Sequence, residues 1–82
     1  MNNIRLTLMF REYCSLCHAM LAALNAYPGR GRFELDIVDV DADPVLEARY
    51  NELVPVLLAE GRELCHYHLD YAALDAYLAS IG

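Results

Sequence analysis

Two of the three cysteines in this 82-residue chain, Cys14 and Cys17, are separated by two residues in the segment CSLC. Thiols at this spacing can bind a metal ion, close into a disulfide or lie unused within a helix. Three cysteines are too few for a disulfide-framework miniprotein, and in a reducing compartment a close pair is more often metal-binding or redox-active than structural. The elements around the pair must therefore decide its chemistry.

Composition excludes several classes of function. The formal net charge of −6 argues against nucleic-acid binding, which needs a basic face. No apolar run approaches the ~20 residues that span a bilayer, so no membrane partner is expected. The first residues, MNNIRLTLMFRE, lack the basic start, long apolar run and cleavage site of a secretory leader. We expect one cytoplasmic domain, residues 1–82, that acts as a monomer.

Hydrophobic periodicity predicts the elements that position the cysteines. Apolar residues alternate in IRLTLMF and FELDIVDV, which indicates strands, and recur at helical spacing in SLCHAMLAALNAY. PGRGR ends that helix, and Asp43 and Asp70 are expected N-caps of two later helices. Pro44 is expected to be the first helical residue after Asp43, where its missing N–H costs nothing. Glu60–Gly61 predicts a hairpin turn. The predicted strands are 4–10, 33–40, 54–59 and 62–67, and the predicted helices are 15–27, 41–51 and 71–81.

The resulting order is β-α-β-α-β-β-α. A strand–helix–strand start implies a right-handed crossover with parallel first and second strands, and the short turn makes the last two strands antiparallel. The fold class is therefore α/β, with a four-stranded mixed sheet flanked by three helices.

The cysteine pair falls at the junction between the first strand and the first helix. Cys14 is a candidate N-cap and Cys17 occupies the N3 position, where backbone N–H groups have no helical partner. These donors and the helix dipole should lower the pKa of the Cys14 thiol below ~8.5. Cys17, one turn into the helix, should remain a thiol until it attacks Cys14. Arg11 would assist if it reaches the sulfur, whereas Glu12 would oppose ionisation.

This asymmetry suits disulfide exchange, but alternatives remain open. The cysteines could be two small apolar residues of a helix. They could also form a non-catalytic metal or iron–sulfur module together with Cys65 or a histidine. The spacing of Cys65, His66, His68 and His18 matches no ordinary zinc pattern, so we expect no metal site.

Several segments resemble the glutaredoxin form of the thioredoxin fold. CSLC at a strand-to-helix junction, VPV before the hairpin and VDVDADPVLEARYNELVPVLL are similar to the glutaredoxin-like family of small bacterial proteins. The resemblance implies that Cys14 is the catalytic nucleophile and Cys17 the resolving thiol. It also implies that Pro55 is cis and faces the pair, while Val54 presents its backbone N–H and C=O to an extended substrate.

The resemblance extends to the substrate site. Arg11 occupies the position where glutaredoxins often carry a lysine for the glutathione carboxylate, and Tyr13 is expected to line the substrate groove. Glutaredoxins usually have Pro and Tyr between the cysteines, where this chain has Ser15 and Leu16. They also carry Gly-Gly after the last strand, where this chain has LCHYHLD. This departure puts standard glutathione binding in doubt.

The LCHYH segment leaves two interpretations open. His66 or His68 could tune Cys14, and Cys65 could be a third exchangeable thiol. We favour the structural account, in which Cys65 is a small buried residue and the histidines lie at a half-exposed hairpin end. His18 is expected to face solvent.

Taken together, these features predict a thiol–disulfide oxidoreductase that uses the Cys14–Cys17 dithiol on a protein or small-molecule disulfide. No resident cofactor is expected, and glutathione is an alternative reductant or co-substrate.

Overall fold

A computed structural model describes residues 4–81 and follows the predicted β-α-β-α-β-β-α order. The strands are β1 (Arg5–Phe10), β2 (Glu34–Asp39), β3 (Val56–Ala59) and β4 (Arg62–His66), and the helices are α1 (Ser15–Ala26), α2 (Pro44–Tyr50) and α3 (Tyr71–Ile81). Short 3-10 turns, Arg30–Arg32 and Val40–Ala42, precede β2 and α2. Among the helices described here, none is both long and apolar enough to cross a bilayer.

The four strands form one mixed sheet in the order β2-β1-β3-β4. β1 pairs in parallel with β2 and antiparallel with β3, and β3 pairs antiparallel with β4. The predicted four-stranded mixed sheet with three helices is therefore confirmed. Its central strands, β1 and β3, have hydrogen-bonded partners on both sides. The adjacent β3 residues Val56 and Leu57 point to opposite faces and are both 0% exposed, so the sheet is covered on both faces there.

One apolar core joins the sheet to α1 and α3. β3 is buried along its whole length, and the core includes side chains that are almost completely inaccessible on the two central strands and both helices. These include Leu6, Leu8, Val56, Leu57, Met20, Leu24, Leu74 and Leu78. Complete burial of each such aliphatic side chain contributes about 1.5–3 kcal/mol. The helical and strand periodicities in the sequence therefore correspond to the faces that pack together.

The start of α2 confirms the prediction that Asp43 caps it and Pro44 is its first residue, although the predicted segment 41–51 also took in the residues before the cap. Asp43 has an extended backbone, and its Oδ1 accepts a hydrogen bond from the N–H of Val45 at 2.9 Å. Pro44 follows in the first turn, where its missing N–H costs no helical hydrogen bond. The helix therefore begins at Pro44, and residues 40–42 form a separate 3-10 turn. Asp43 is confirmed as the cap, and so is Asp70, whose Oδ1 accepts from the N–H of Ala73.

The β3–β4 hairpin is closed by two residues in the left-handed region. Glu60 has φ 53° and Gly61 has φ 79°, which is the backbone of a type I′ turn. The pairing shifts between Leu57, opposite Cys65, and Leu58, opposite Glu63. The shift sets the register at the open end of the hairpin, where Val56 lies opposite His66.

The strand directions bring several loops to one end of the sheet. Met9, near the end of β1, lies beside Val38 near the end of β2 and beside Val56 at the start of β3. This end of the sheet therefore carries four connecting segments: the loop after β1, the turn after β2, the segment before β3 and the segment after β4. The cysteine pair lies at the same end.

We expect Asp43→Ala to lower the free energy of unfolding by about 1 kcal/mol, because the first turn of α2 loses its side-chain cap. Asp43→Asn is the matched control and should retain most of the stability, since asparagine caps equally well. Urea unfolding checks this through the midpoint at unchanged slope. Equal stability of wild type and the alanine variant would contradict the role of the cap.

Candidate active site at the Cys14–Cys17 pair

Helix α1 begins at the cysteine pair. Cys14 is the N-cap, with φ −126° and ψ 106°, and its Sγ accepts a hydrogen bond from the N–H of Cys17 at 3.1 Å. The predicted N-cap and N3 positions are confirmed. A sulfur at this place receives a backbone donor and the positive end of the helix dipole, and both favour a negative charge on it.

The two cysteines are paired and unequally exposed. Their sulfurs form a disulfide across one helical turn, with the Cα atoms 5.1 Å apart, inside the usual range for such a bond. Cys17 is 0% exposed, whereas Cys14 is half-buried. An incoming group therefore meets the Cys14 sulfur first, and the Cys17 sulfur lies behind it.

The Val54–Pro55 segment lies against this pair, and its peptide bond is cis. The carbonyl oxygen of Val54 is 3.9 Å from the Cys14 Sγ. The N–H of Val54, however, donates to the carbonyl of Tyr50 at the end of α2, at 3.2 Å. The N–H of Val54 is therefore already bound to α2, contrary to the expectation that it is offered to a substrate, and presentation of the carbonyl to a substrate stays a prediction.

The Arg11 side chain links the loop after β1 to α2 and the segments on either side of it. Its Nε donates to Asp41 Oδ1 at 3.0 Å, its Nη1 donates to the carbonyl of Asn51 at 3.2 Å, and its Nη2 lies 3.9 Å from Glu47 Oε2. Among residues 4–81, all hydrogen bonds and ion pairs of this guanidinium go to α2 (Glu47), the turn before it (Asp41) and the residue after it (Asn51). The expectation that Arg11 assists Cys14 depended on its reaching the sulfur; in the structure Arg11 instead pairs with two carboxylates, Asp41 and Glu47.

His18 contacts the loop that carries Cys14. Its Nε2 lies 2.9 Å from the carbonyl oxygen of Glu12, so this nitrogen bears the hydrogen and donates. The ring also packs edge-on against Phe10, with centroids 4.9 Å apart. His18 is exposed, as expected, but its ring also links the loop between β1 and α1 to α1 through the carbonyl of Glu12. The lean of helical side chains toward the N-terminus could have indicated this contact.

Tyr67 is the residue of this site that sequence reasoning missed. Its N–H donates to the carbonyl of Pro55 at 2.9 Å, and its hydroxyl donates to the carbonyl of Glu52 at 2.7 Å. Its φ is +64°, a conformation that costs a non-glycine residue about 1–2 kcal/mol. Tyrosine gives no sequence indication of positive φ, so only the tertiary structure reveals this contact.

Exposed apolar side chains adjoin the pair. Tyr13 is 94% exposed, and Leu16 and Leu53 are also exposed although they are large and apolar. Beyond Tyr67, a shallow cavity of about 220 Å³ lies between α1 and the segment that leads into α3. It is lined by Ala19, Met20, Ala23, Tyr67, His68, Leu69 and Tyr71. Tyr67 therefore both lines this cavity and binds the segment around Val54.

Cys65 and the nearby histidines follow the structural account. Cys65 is buried opposite Leu57, and burial raises the pKa of its thiol above the usual value. His66 is exposed, and its Nδ1 lies 2.7 Å from Glu63 Oε2. His68 is exposed as well. A buried, protonated thiol is a poor nucleophile, so Cys65 lacks the properties of a third exchangeable cysteine.

The alternative of a metal module requires several ligating side chains in one place. Within residues 4–81, no group of three His, Cys, Asp or Glu side chains has the proximity to hold a metal ion. Cys65 and His66 lie on β4, where neighbouring residues point to opposite faces of the sheet. Among the described residues, no third ligand of these types therefore lies with the cysteine pair.

Because Arg11 joins three segments, Arg11→Ala should destabilise the protein by about 1–2 kcal/mol while leaving the pH at which Cys14 ionises unchanged. Arg5→Ala is the matched control, since it removes an exposed pair with Asp36 on the sheet, and its effect should be much smaller. Urea unfolding and the pH dependence of Cys14 alkylation measure the two properties. A large change in Cys14 ionisation in the Arg11 variant would restore the electrostatic role.

The buried Cys65 thiol predicts a loss of stability at alkaline pH. In the unfolded chain this thiol ionises near its ordinary pKa of 9.0, whereas burial raises the pKa in the folded protein. Above pH 9 the unfolded state therefore binds fewer protons, and the free energy of unfolding falls as pH rises.

Urea unfolding between about pH 8 and pH 10.5 measures this effect. A Cys14→Ser/Cys17→Ser background excludes disulfide exchange, and addition of Cys65→Ala provides the control. The decline should be shallower in the alanine variant, and parallel curves would contradict the assignment.

Comparisons with known proteins agree with this architecture. The solution structure of protein Ne2328 from Nitrosomonas europaea is 39% identical with a TM-score of 0.80, covering 94% of this chain and 93% of that one. Protein XcR50 from X. campestris is 35% identical with a TM-score of 0.65, covering 92% and 96%. A thioredoxin from Halobacterium salinarum, 23% identical with a TM-score of 0.61 over 96% of this chain and 74% of its own, shows the shared fold. The glutaredoxin-like domain (DUF836) matches residues 5–79, and the chain belongs to this family.

Proposed function

We propose that this protein is a thiol–disulfide oxidoreductase in which Cys14 is the nucleophile and Cys17 the resolving thiol. The observation that carries the proposal is the asymmetry of the pair. Cys14 is a half-buried N-cap whose sulfur accepts the N–H of Cys17, while the Cys17 side chain is completely buried one turn behind it. The thioredoxin-like fold supports a redox role of this general kind.

The reaction begins with the reduced pair. The Cys14 thiolate attacks one sulfur of a substrate disulfide, that S–S bond breaks, and the other substrate sulfur leaves as a thiolate that takes up a proton. Cys14 is then joined to the substrate in a mixed disulfide. The Cys17 thiol loses its proton and attacks the Cys14 sulfur, and the remaining substrate thiolate leaves. The substrate has gained two electrons and the pair has become the Cys14–Cys17 disulfide, the form described above.

The short span of the pair supports the second step. The Cα atoms of the two cysteines are 5.1 Å apart, a separation at which their sulfurs bond without moving the backbone. Resolution of the mixed disulfide is therefore intramolecular and faster than attack by a free thiol in solution.

The Val54 carbonyl supports substrate alignment. It lies 3.9 Å from the Cys14 sulfur and can accept a backbone N–H from an extended substrate segment that contains the target cysteine. The exposed Tyr13 and Leu16 offer apolar contact to the residues that flank this cysteine. The cycle closes when an external thiol, either glutathione or a protein dithiol, reduces the Cys14–Cys17 disulfide.

Cys14→Ser should abolish reduction of a disulfide substrate, with activity reduced at least ~100-fold, because the serine hydroxyl does not ionise near neutral pH. Cys17→Ser should instead accumulate a mixed disulfide between Cys14 and the substrate, seen as an adduct by intact-mass spectrometry under non-reducing conditions. Cys65→Ala is the matched cysteine control and should retain activity, since its thiol is buried away from solvent. Full activity in Cys14→Ser would overturn the assignment of the nucleophile.

A further inference from the structure

We propose that Tyr67 is a positioning and specificity-determining residue, which holds the Val54 carbonyl at Cys14 and makes the site prefer a peptide-borne disulfide to a glutathione mixed disulfide. This inference rests on the proposed function and names the substrate class of the same site.

Tyr67 fastens the segment before β3 at two points. Its backbone N–H donates to the carbonyl of Pro55, and its side-chain hydroxyl donates to the carbonyl of Glu52. Val54 lies between these two attachments, and its own carbonyl faces the Cys14 sulfur. A single residue from the end of β4 therefore fixes the backbone on both sides of the group that would align a substrate.

The same contacts limit what the site can bind. The carbonyls of Glu52 and Pro55 are both occupied by Tyr67, and the N–H of Val54 is occupied by Tyr50. The carbonyl of Val54 is then the main backbone group in this segment that faces the pair. A small tripeptide thiol adduct has few other contacts to make, so one backbone acceptor gives it little affinity.

A longer peptide has additional contacts within reach. Cys14 and Val54 face each other across the site. Tyr13 directly precedes Cys14, Leu16 lies between the two cysteines and Leu53 directly precedes Val54. All three are exposed apolar side chains. A substrate segment with apolar residues beside its cysteine can bury this surface while its backbone meets Val54. The combination of few free polar groups and exposed apolar area favours a peptide.

The arginine at the edge of the site supports the same preference. Arg11 already pairs with Asp41 and Glu47, so its charge is matched and is poorly available to the carboxylate of a small acidic ligand. The formal net charge of −6 also disfavours anionic ligands such as glutathione at long range. An apolar peptide segment does not need the Arg11 charge and is not repelled by the negative net charge.

Two variants separate the hydroxyl of Tyr67 from its ring. Tyr67→Phe removes only the hydrogen bond to Glu52. Tyr67→Gly suits the positive φ, keeps the backbone N–H that binds Pro55, and removes the ring together with its hydroxyl. Tyr77→Phe is the matched control, because the Tyr77 hydroxyl makes no hydrogen bond within residues 4–81.

The experiment uses the reduced full-length protein in single-turnover reactions with two probes. One is a short peptide with leucine on both sides of a cysteine that is disulfide-bonded to cysteamine, and the other is the glutathione–cysteamine mixed disulfide. Cysteamine release against probe concentration gives the maximal rate and the half-saturating concentration. The Cys14–Cys17 reduction potential and thermal unfolding are measured for every variant.

Tyr67→Phe should raise the half-saturating concentration of the peptide about three- to tenfold and leave its maximal rate and the reduction potential unchanged. Tyr67→Gly should reduce the preference for the peptide over the glutathione probe by about tenfold, and Tyr77→Phe should match wild type.

Wild-type kinetics in both Tyr67 variants would overturn the inference and leave the proposed function intact. Equal losses on both probes with a shifted potential would also overturn it, since they indicate a general structural role. Failure of the wild-type protein to release cysteamine from either probe would instead overturn the proposed function, and the inference with it.

Discussion

The central position of β1 is the constraint on which the site depends. β1 has β2 on one side and β3 on the other, and it runs parallel to the first and antiparallel to the second. Its carboxyl end must therefore lie beside the amino end of β3, and the chain that leaves β1 at Phe10 reaches Cys14 next to Val54. Cys14 and Val54 are separated by forty residues, and the hydrogen bonding of the sheet brings them together.

Around this junction, backbone groups supply the electrostatics and side chains supply the rigidity. The Cys14 sulfur accepts a backbone N–H, and the helix dipole adds to it. Arg11, the cationic side chain nearest to Cys14 in the sequence, instead binds Asp41, Glu47 and the carbonyl of Asn51. The surroundings of the Cys14 sulfur therefore depend on where α1 begins, and Arg11, His18 and Tyr67 hold the three loops next to it.

The sequence was sufficient to predict most of the fold, because the information is local. Alternation and helical spacing located the strands and helices, Asp43 and Asp70 marked two helix starts, and Glu60–Gly61 marked the hairpin. The errors lie at boundaries and in long-range contacts. The predicted segment 41–51 was longer than α2, because the residues before the Asp43 cap form their own turn, although the cap and the first helical residue, Pro44, were predicted.

For the site, the sequence alone determined the positions of Cys14 and Cys17 at a strand-to-helix junction, since two cysteines, an apolar alternation and a helical repeat are all local patterns. Tertiary structure alone decided the roles of Arg11, His18, Val54 and Tyr67. Arginine could as well have faced the sulfur, and the N–H of Val54 could have been free. Their partners are residues distant in the chain or carbonyls whose direction depends on the fold, and the left-handed backbone of Tyr67 is a conformation that its side chain does not favour. Such contacts are chosen by the packing of the whole sheet edge, and no short stretch of sequence carries them.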